Sequence, residues 1–255
     1  DMKPFVRKLI AKQLERLGWE AKPHESHFDR LLRPTILGMA AVAEEPKVVE
    51  KALMLFKAMH EPDDLSTELR TANIPNTLRN GAIDPDMRGV VYGTAARMGG
   101  QRTFEKLVKM HNETQFSEER LNLCAAICGF QDPKIIKQAL AMIDSDQVRL
   151  QDVAYWLVYS FANRHARQMT WQWLKDHWKW LEKNLGSDLS FYRIPIYVAR
   201  SFSDGEFLPE FEKFFQKHMS PAFERNVNQG VETIEWQSAW KERDLKLVKN
   251  FFKNQ

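Results

Sequence analysis

Apolar residues recur three and four positions apart along almost the whole of the 255-residue chain, and no run alternates apolar with polar as a half-buried strand requires. That periodicity restricts the chain to helices. It predicts them over 3–17, 25–43, 46–60, 66–80, 85–98, 101–115, 117–129, 132–143, 146–162, 167–185, 189–201, 206–218, 221–235 and 237–252. Gly18, Gly81, Gly99, Gly100, Gly129, Gly186 and Gly205 fall at the ends of these segments. Pro46, Pro85, Pro133 and Pro221 fall in or near first turns, the asymmetry expected of helix termini. Ser117 and Ser145 offer side-chain oxygens to first-turn amides. Pro75 interrupts the segment 66–80, and the polar stretch 61–84 reads as an insertion or exposed loop. One domain over 1–255 is the simplest count.

Helices of this length on short connections turn back on themselves as antiparallel pairs, which stack into a bundle or a curved solenoid. The segment around Trp171 favours the second. Trp171, Leu174, Trp178, Leu181 and Leu185 form one stripe, and Trp173 and Trp180 fall on the opposite side. A helix packed between two layers needs two apolar faces. The expected fold is therefore all-α, an α-α superhelix of stacked antiparallel helix pairs of the HEAT or armadillo type. No repeat of constant period is visible, so any such repeats are degenerate.

Charge narrows the function classes. The 37 basic residues nearly balance the 34 acidic ones and no long run carries one sign, so nucleic acid is not an expected partner. Cys124 and Cys128 lie one helical turn apart in LNLCAAICGF and read as small buried apolar groups, which suggests a reducing compartment. No uninterrupted apolar window of about 18 residues marks a membrane span, and no signal-peptide layout opens the chain. A cytoplasmic protein with no membrane partner is expected. Asp1 in place of an initiator methionine suggests processing or excision from something longer.

Catalytic motifs are absent from the sequence. A zinc-hydrolase helix needs histidines at i and i+4 with a glutamate after the first. His24-Glu25-Ser26-His27 brings its second histidine one position early, and His60-Glu61 runs into Pro62. No metal ligand and no catalytic residue is assigned. His111, His165, His177 and His218 stand singly at the ends or polar sides of helices and read as structural or solvated. There is no G-x-S-x-G elbow, no glycine-rich phosphate loop, and no histidine beside either cysteine. Trp156, Trp171, Trp173, Trp178 and Trp180 have the spacing of a packed core more than of a ligand box. Arg149, Arg164, Arg167, Arg193 and Arg200 could offer bidentate donors to a carboxylate.

Several stretches, in order, resemble one family. They are Leu17 to Pro23 (LGWEAKP), Glu25 to Arg33 (ESHFDRLLR), Asp86 to Tyr92 (DMRGVVY), Val148 to Asp152 (VRLQD), Trp171 to Trp178 (WQWLKDHW), Phe191-Tyr192-Arg193, and Ala222 to Asp244 through Arg225, Gln229, Glu232, Ile234 and Trp240. Together they are similar to the helical C-terminal domain of gluzincin zinc aminopeptidases of the puromycin-sensitive type. The resemblance implies a HEAT-like domain that closes over the cleft of a separate catalytic domain of the same parent chain and accommodates a peptide substrate. It implies zinc in the parent enzyme and no cofactor in this chain, because the family's zinc helix and Gly-x-Met-Glu-Asn motif belong to the catalytic domain. Arg149, Gln151 and Arg193 are the expected substrate-binding residues. Two departures stand out: the segment 64–82 is longer than expected, and Ala162 occupies the place where some members carry a carboxylate-binding arginine before the asparagine of the 162–167 turn. A free-standing α-solenoid scaffold that binds a partner protein is the alternative reading, and a hydrolase with a triad assembled in space is a third.

Overall fold

A computed structural model of the chain describes residues 2–60 and 83–253, and these form two compact units that divide after Ile127. Among the described residues the secondary structure is entirely helical. The predicted helix 66–80, Pro75, Gly81 and most of the stretch 61–84 lie outside them.

The first unit holds α1 (Lys3–Leu17), α2 (His27–Val42), α3 (Pro46–His60), α4 (Pro85–Met98), α5 (Gln101–Glu113) and α6 (Ser117–Ile127). Short links at 43–45, 99–100 and 114–116 join helices that also pack together, so the chain turns back at each as an antiparallel hairpin. Helix α4 is the hub, touching α2, α3, α5 and α6. Its composition suits that position. Val91, Tyr92, Thr94, Ala95 and Ala96 are all buried, and Gly89 lets Asn122 of α6 approach to within 3.3 Å of where a β-carbon would stand. Caps come from Ser26, which accepts from the Asp29 amide, and from Asp84, which accepts from Asp86.

The second unit holds α7 (Pro133–Met142), α8 (Val153–Ala162), α9 (Arg167–Asp176), α10 (Trp178–Leu185), α11 (Leu189–Tyr192), α12 (Ile194–Ala199), α13 (Leu208–Gln216) and α14 (Pro221–Lys253), with 3₁₀ turns at Leu150–Asp152 and Gly205–Phe207. Its core is aromatic. Trp171 meets Phe207 and Phe214 edge-on at 5.3 and 5.0 Å between ring centres, and Trp178 meets Phe191, Phe214 and Phe223 at 5.1 to 5.7 Å. The tryptophan stripe is thus core, as its spacing predicts, and Trp173 on the other side is buried too. Cys124 and Cys128 are both buried. No helix among the described residues is long and apolar enough to cross a membrane.

Several predicted boundaries move, each for a local reason. The segment 167–185 is two helices because His177 leaves helical dihedrals (φ −106°, ψ 13°) to stack its ring on Trp173 at 4.4 Å, with Nδ1 2.8 Å from the Trp173 carbonyl oxygen. The segment 189–201 breaks at Arg193 because Pro195 has no amide to offer the Phe191 carbonyl. The predicted start at 146 is a turn, since the Ser145 hydroxyl donates to the Met142 carbonyl and accepts from the Gln147 amide; the helix proper begins at Val153. Ser117 opens α6 as its first residue instead of capping it from outside. His111, in the last turn of α5, is buried. Finally, 221–235 and 237–252 are one 33-residue helix, for no glycine or proline follows Gly230 to stop it.

That long helix is seated by Phe223, Val227, Gly230 and Ile234, its buried residues. At Gly230 a β-carbon would stand 2.6 Å from the Phe211 ring, whose side chain is itself fully enclosed, so α14 and α13 approach as closely as they do only through glycine. A methyl group there has nowhere to go. Gly230→Ala should destabilise the second unit by about 1–3 kcal/mol through overpacking, outweighing the helix-propensity gain of about 1 kcal/mol. Gly93→Ala in α4 meets nothing within 4 Å and should stabilise by about 0.5–1 kcal/mol. Urea denaturation of both variants checks the pair, and shifts of the same sign would contradict the packing described.

Candidate functional site

Arginine is the residue type the fold sorts most sharply. Some guanidiniums are internal fasteners. Arg33, buried on α2, grips both carboxylate oxygens of Glu25, through Nη1 to Oε1 at 2.9 Å and Nη2 to Oε2, and also reaches the Leu17 carbonyl at the end of α1. Arg88 pairs with Glu119 of α6, and that carboxylate also accepts from the Tyr92 hydroxyl at 2.6 Å. Arg120 donates to the carbonyls of His111 and Thr114, closing the α5–α6 turn. Arg167 donates to the Ser201 carbonyl at 2.6 Å, which removes it from the candidate donors.

Arg149, Gln151 and Arg193 are placed differently. All three are exposed, and none makes a side-chain hydrogen bond or ion pair among the described residues. Arg149 precedes the 3₁₀ turn that leads into α8, and Gln151 lies within that turn. Arg193 occupies the junction of α11 and α12, and α12 packs against α8. Arg149 and Gln151 share one short turn; Arg193 stands on the neighbouring element. Two side chains that sequence reasoning missed lie beside them: Leu150 between the polar pair, and Tyr155 on the first turn of α8, both about half exposed. Their exposure despite large apolar surface is a signal only coordinates give. A guanidinium, an amide, a phenol and an isobutyl group on one exposed segment can together meet a carboxylate, a backbone amide and an apolar side chain. Arg164 is exposed with Nε 3.1 Å from His165 Nε2, and Arg200 is exposed at the end of α12.

Two of the sequence stretches that carry the family resemblance hold fasteners of this kind. In Glu25 to Arg33 the pair at its two ends ties the α1–α2 link to α2. In Asp86 to Tyr92, Arg88 and Tyr92 stand one turn apart so that both reach Glu119. Asn163, in the turn after α8, donates to the carbonyls of Cys128 and Phe130 at 2.9 and 2.7 Å, while Ala162 beside it is exposed. The Arg33 hydrogen bonds, helped by the Lys22 amide, hold the Glu25 carboxyl below its ordinary pKa. Burial pushes the Tyr92 hydroxyl above its own, against the nearby Arg88 charge.

The profile of the ERAP1-like C-terminal domain family matches residues 1–235. The chain belongs to that family. It is 28% identical over 230 residues to aminopeptidase M1 of Arabidopsis thaliana, covering 89% of this chain and 24% of the relative. It is 26% identical over 250 residues to the mitochondrial aminopeptidase 2 of Saccharomyces cerevisiae, covering 98% and 25%, and 28% identical over 238 residues to aminopeptidase N of Lactobacillus helveticus, covering 92% and 26%. This ERAP1-like C-terminal domain therefore spans about a quarter of the length of those relatives. Aminopeptidases of this kind imply zinc, but among the described residues no three His, Cys, Asp or Glu side chains are grouped to hold a metal ion.

Because Glu25 titrates lower in the folded domain than unfolded, the stability its ion pair gives is complete above the ordinary carboxylate range and is lost as pH falls through the lowered value. Glu25→Gln should destabilise the first unit at neutral pH and flatten its acid dependence. Urea midpoints from neutral pH down to about pH 3 measure both effects; a variant as acid-sensitive as the parent would show that another group carries the titration.

Proposed function

We propose that this domain is the noncatalytic part of a zinc aminopeptidase, enclosing the active-site chamber and accommodating the peptide while another domain of the same parent chain removes the N-terminal residue. What carries the reading is a juxtaposition: a chain matched over most of its length to an aminopeptidase C-terminal domain leaves Arg149, Gln151 and Arg193 exposed and unspent. We take these three as peptide contacts, with the arginines meeting carboxylates and Gln151 the backbone. The domain's contribution is to orient the peptide and limit access of bulk water and folded proteins. One domain over the whole chain belongs to the same proposal, supported by a family match that runs through both compact units. So does the puromycin-sensitive branch, supported by the colinear stretches, and a cytoplasmic setting, supported by two cysteines buried as small apolar groups. A free-standing scaffold is not favoured, since the matched relatives carry this region within much longer aminopeptidase chains.

In the parent enzyme, replacing Arg149 or Arg193 with alanine should raise KM for long peptides roughly tenfold, the worth of one charge-assisted hydrogen bond. Turnover of a single-residue aminoacyl reporter should be unchanged. Gln151→Ala should act in the same direction by less. Equal losses on reporter and long peptide, or no loss on either, would remove these residues from the peptide path. The 255-residue chain alone should not hydrolyse aminoacyl reporters, and chelator-sensitive turnover by it would overturn the reading.

A further inference from the structure

Helix α2 is apolar on two opposite sides, and among the described residues only one of them is used within its unit. Ile36, Leu37, Ala40 and Ala41 face inward, where α1, α3 and α4 pack. The other side carries Phe28, Leu31, Met39 and Val42, spaced by three, eight and three so that a helical projection keeps them within one narrow stripe, with Thr35 between. All are exposed: Phe28 by 78%, Leu31 and Val42 by 57% each. A row of large apolar side chains along one helix, interrupted only by Thr35, differs from scattered surface leucines and marks a surface made to be covered.

From this we infer that the Phe28–Val42 face of α2 is a docking surface for the part of the parent chain that precedes this domain. The inference rests on the reading given under Proposed function. The chain spans only 24 to 26% of the relatives' length, and a C-terminal domain follows the rest of its chain. That remainder joins ahead of α1, whose Lys3 pairs with Glu44 just beyond the Val42 end of α2. The stripe also lies inside the matched span 1–235, whereas Leu247 and Phe251, exposed on α14, lie beyond it. An apolar face on the neighbouring domain, with a polar rim, is the complementary surface required.

Carbene footprinting of the full-length parent, read by mass spectrometry, tests the assignment with an internal control. Phe116, in the same unit, is 74% exposed, so it and Phe28 should label alike if nothing covers either. Docking should reduce labelling of Phe28 roughly fivefold or more relative to Phe116, as for a residue in an interface core. Equal labelling overturns the assignment. Protection of Phe28 that is lost on dilution from dimer to monomer also overturns it, in favour of a second copy of the chain. Aminopeptidase turnover of the same preparation separates the two proposals. Activity with Phe28 freely labelled sinks only the docking face; protection without activity sinks only the functional reading.

Discussion

A helix with neighbours on two sides must be apolar on two faces, and the architecture depends on the few helices that meet this condition. In the first unit it is α4, where small residues and buried Tyr92 let four other helices pack against one. In the second it is the α9–α10 pair, where Trp171 and Trp178 fill the space between the phenylalanines of α11, α13 and α14. Burial on that scale needs no metal and no disulfide. Each fully buried large apolar side chain contributes on the order of 1.5–3 kcal/mol, which is offset chiefly by the entropy of ordering the chain.

Polar groups then set where the stacked helices turn. Helix ends leave amides and carbonyls without intrahelical partners, and several turns here are closed by a side chain reaching back to such a carbonyl. Arg33 does so at Leu17, Arg120 at His111 and Thr114, Asn163 at Cys128 and Phe130, and Arg167 at Ser201. These bonds cost little in desolvation when the charge is also paired, as Arg33 is with Glu25. They fix register between successive hairpins, which unspecific apolar contact leaves loose. Glu210 plays a related part at the surface, accepting from Lys175 and from the Trp171 indole nitrogen at 2.8 Å; the lysine is the larger cause of its lowered pKa.

How much of this was legible in the sequence follows from which physics acted locally. Helical period and the buried tryptophan stripe could be read, because burial dictates both. The break at Arg193 was available in principle from Pro195, yet the apolar pattern on either side outweighed it. The kink at His177 was not available, since it depends on a ring stacking on Trp173. The continuity of α14 ran against the expectation of two shorter helices, which rested on typical length alone. For the site, Arg167 and Arg149 look alike as letters. Only coordinates show that Arg167 is a fastener on the Ser201 carbonyl, while Arg149 is exposed with no side-chain partner among the described residues. Tyr155 had no sequence signal at all, because its exposure runs against its type.

The division between fasteners and free arginines explains what a resemblance of this kind can and cannot transmit. Two of the stretches that identify the family here hold side chains that close turns and fill cores, Glu25 with Arg33 and Arg88 with Tyr92 and Glu119. A substitution there leaves a buried charge or carbonyl unpaired and damages the fold whatever the substrate. Exposed groups such as Arg149 and Arg193 are under no such constraint, since among the described residues no internal partner needs them. Folding leaves such exposed positions open to change, as Ala162 beside the structurally committed Asn163 illustrates.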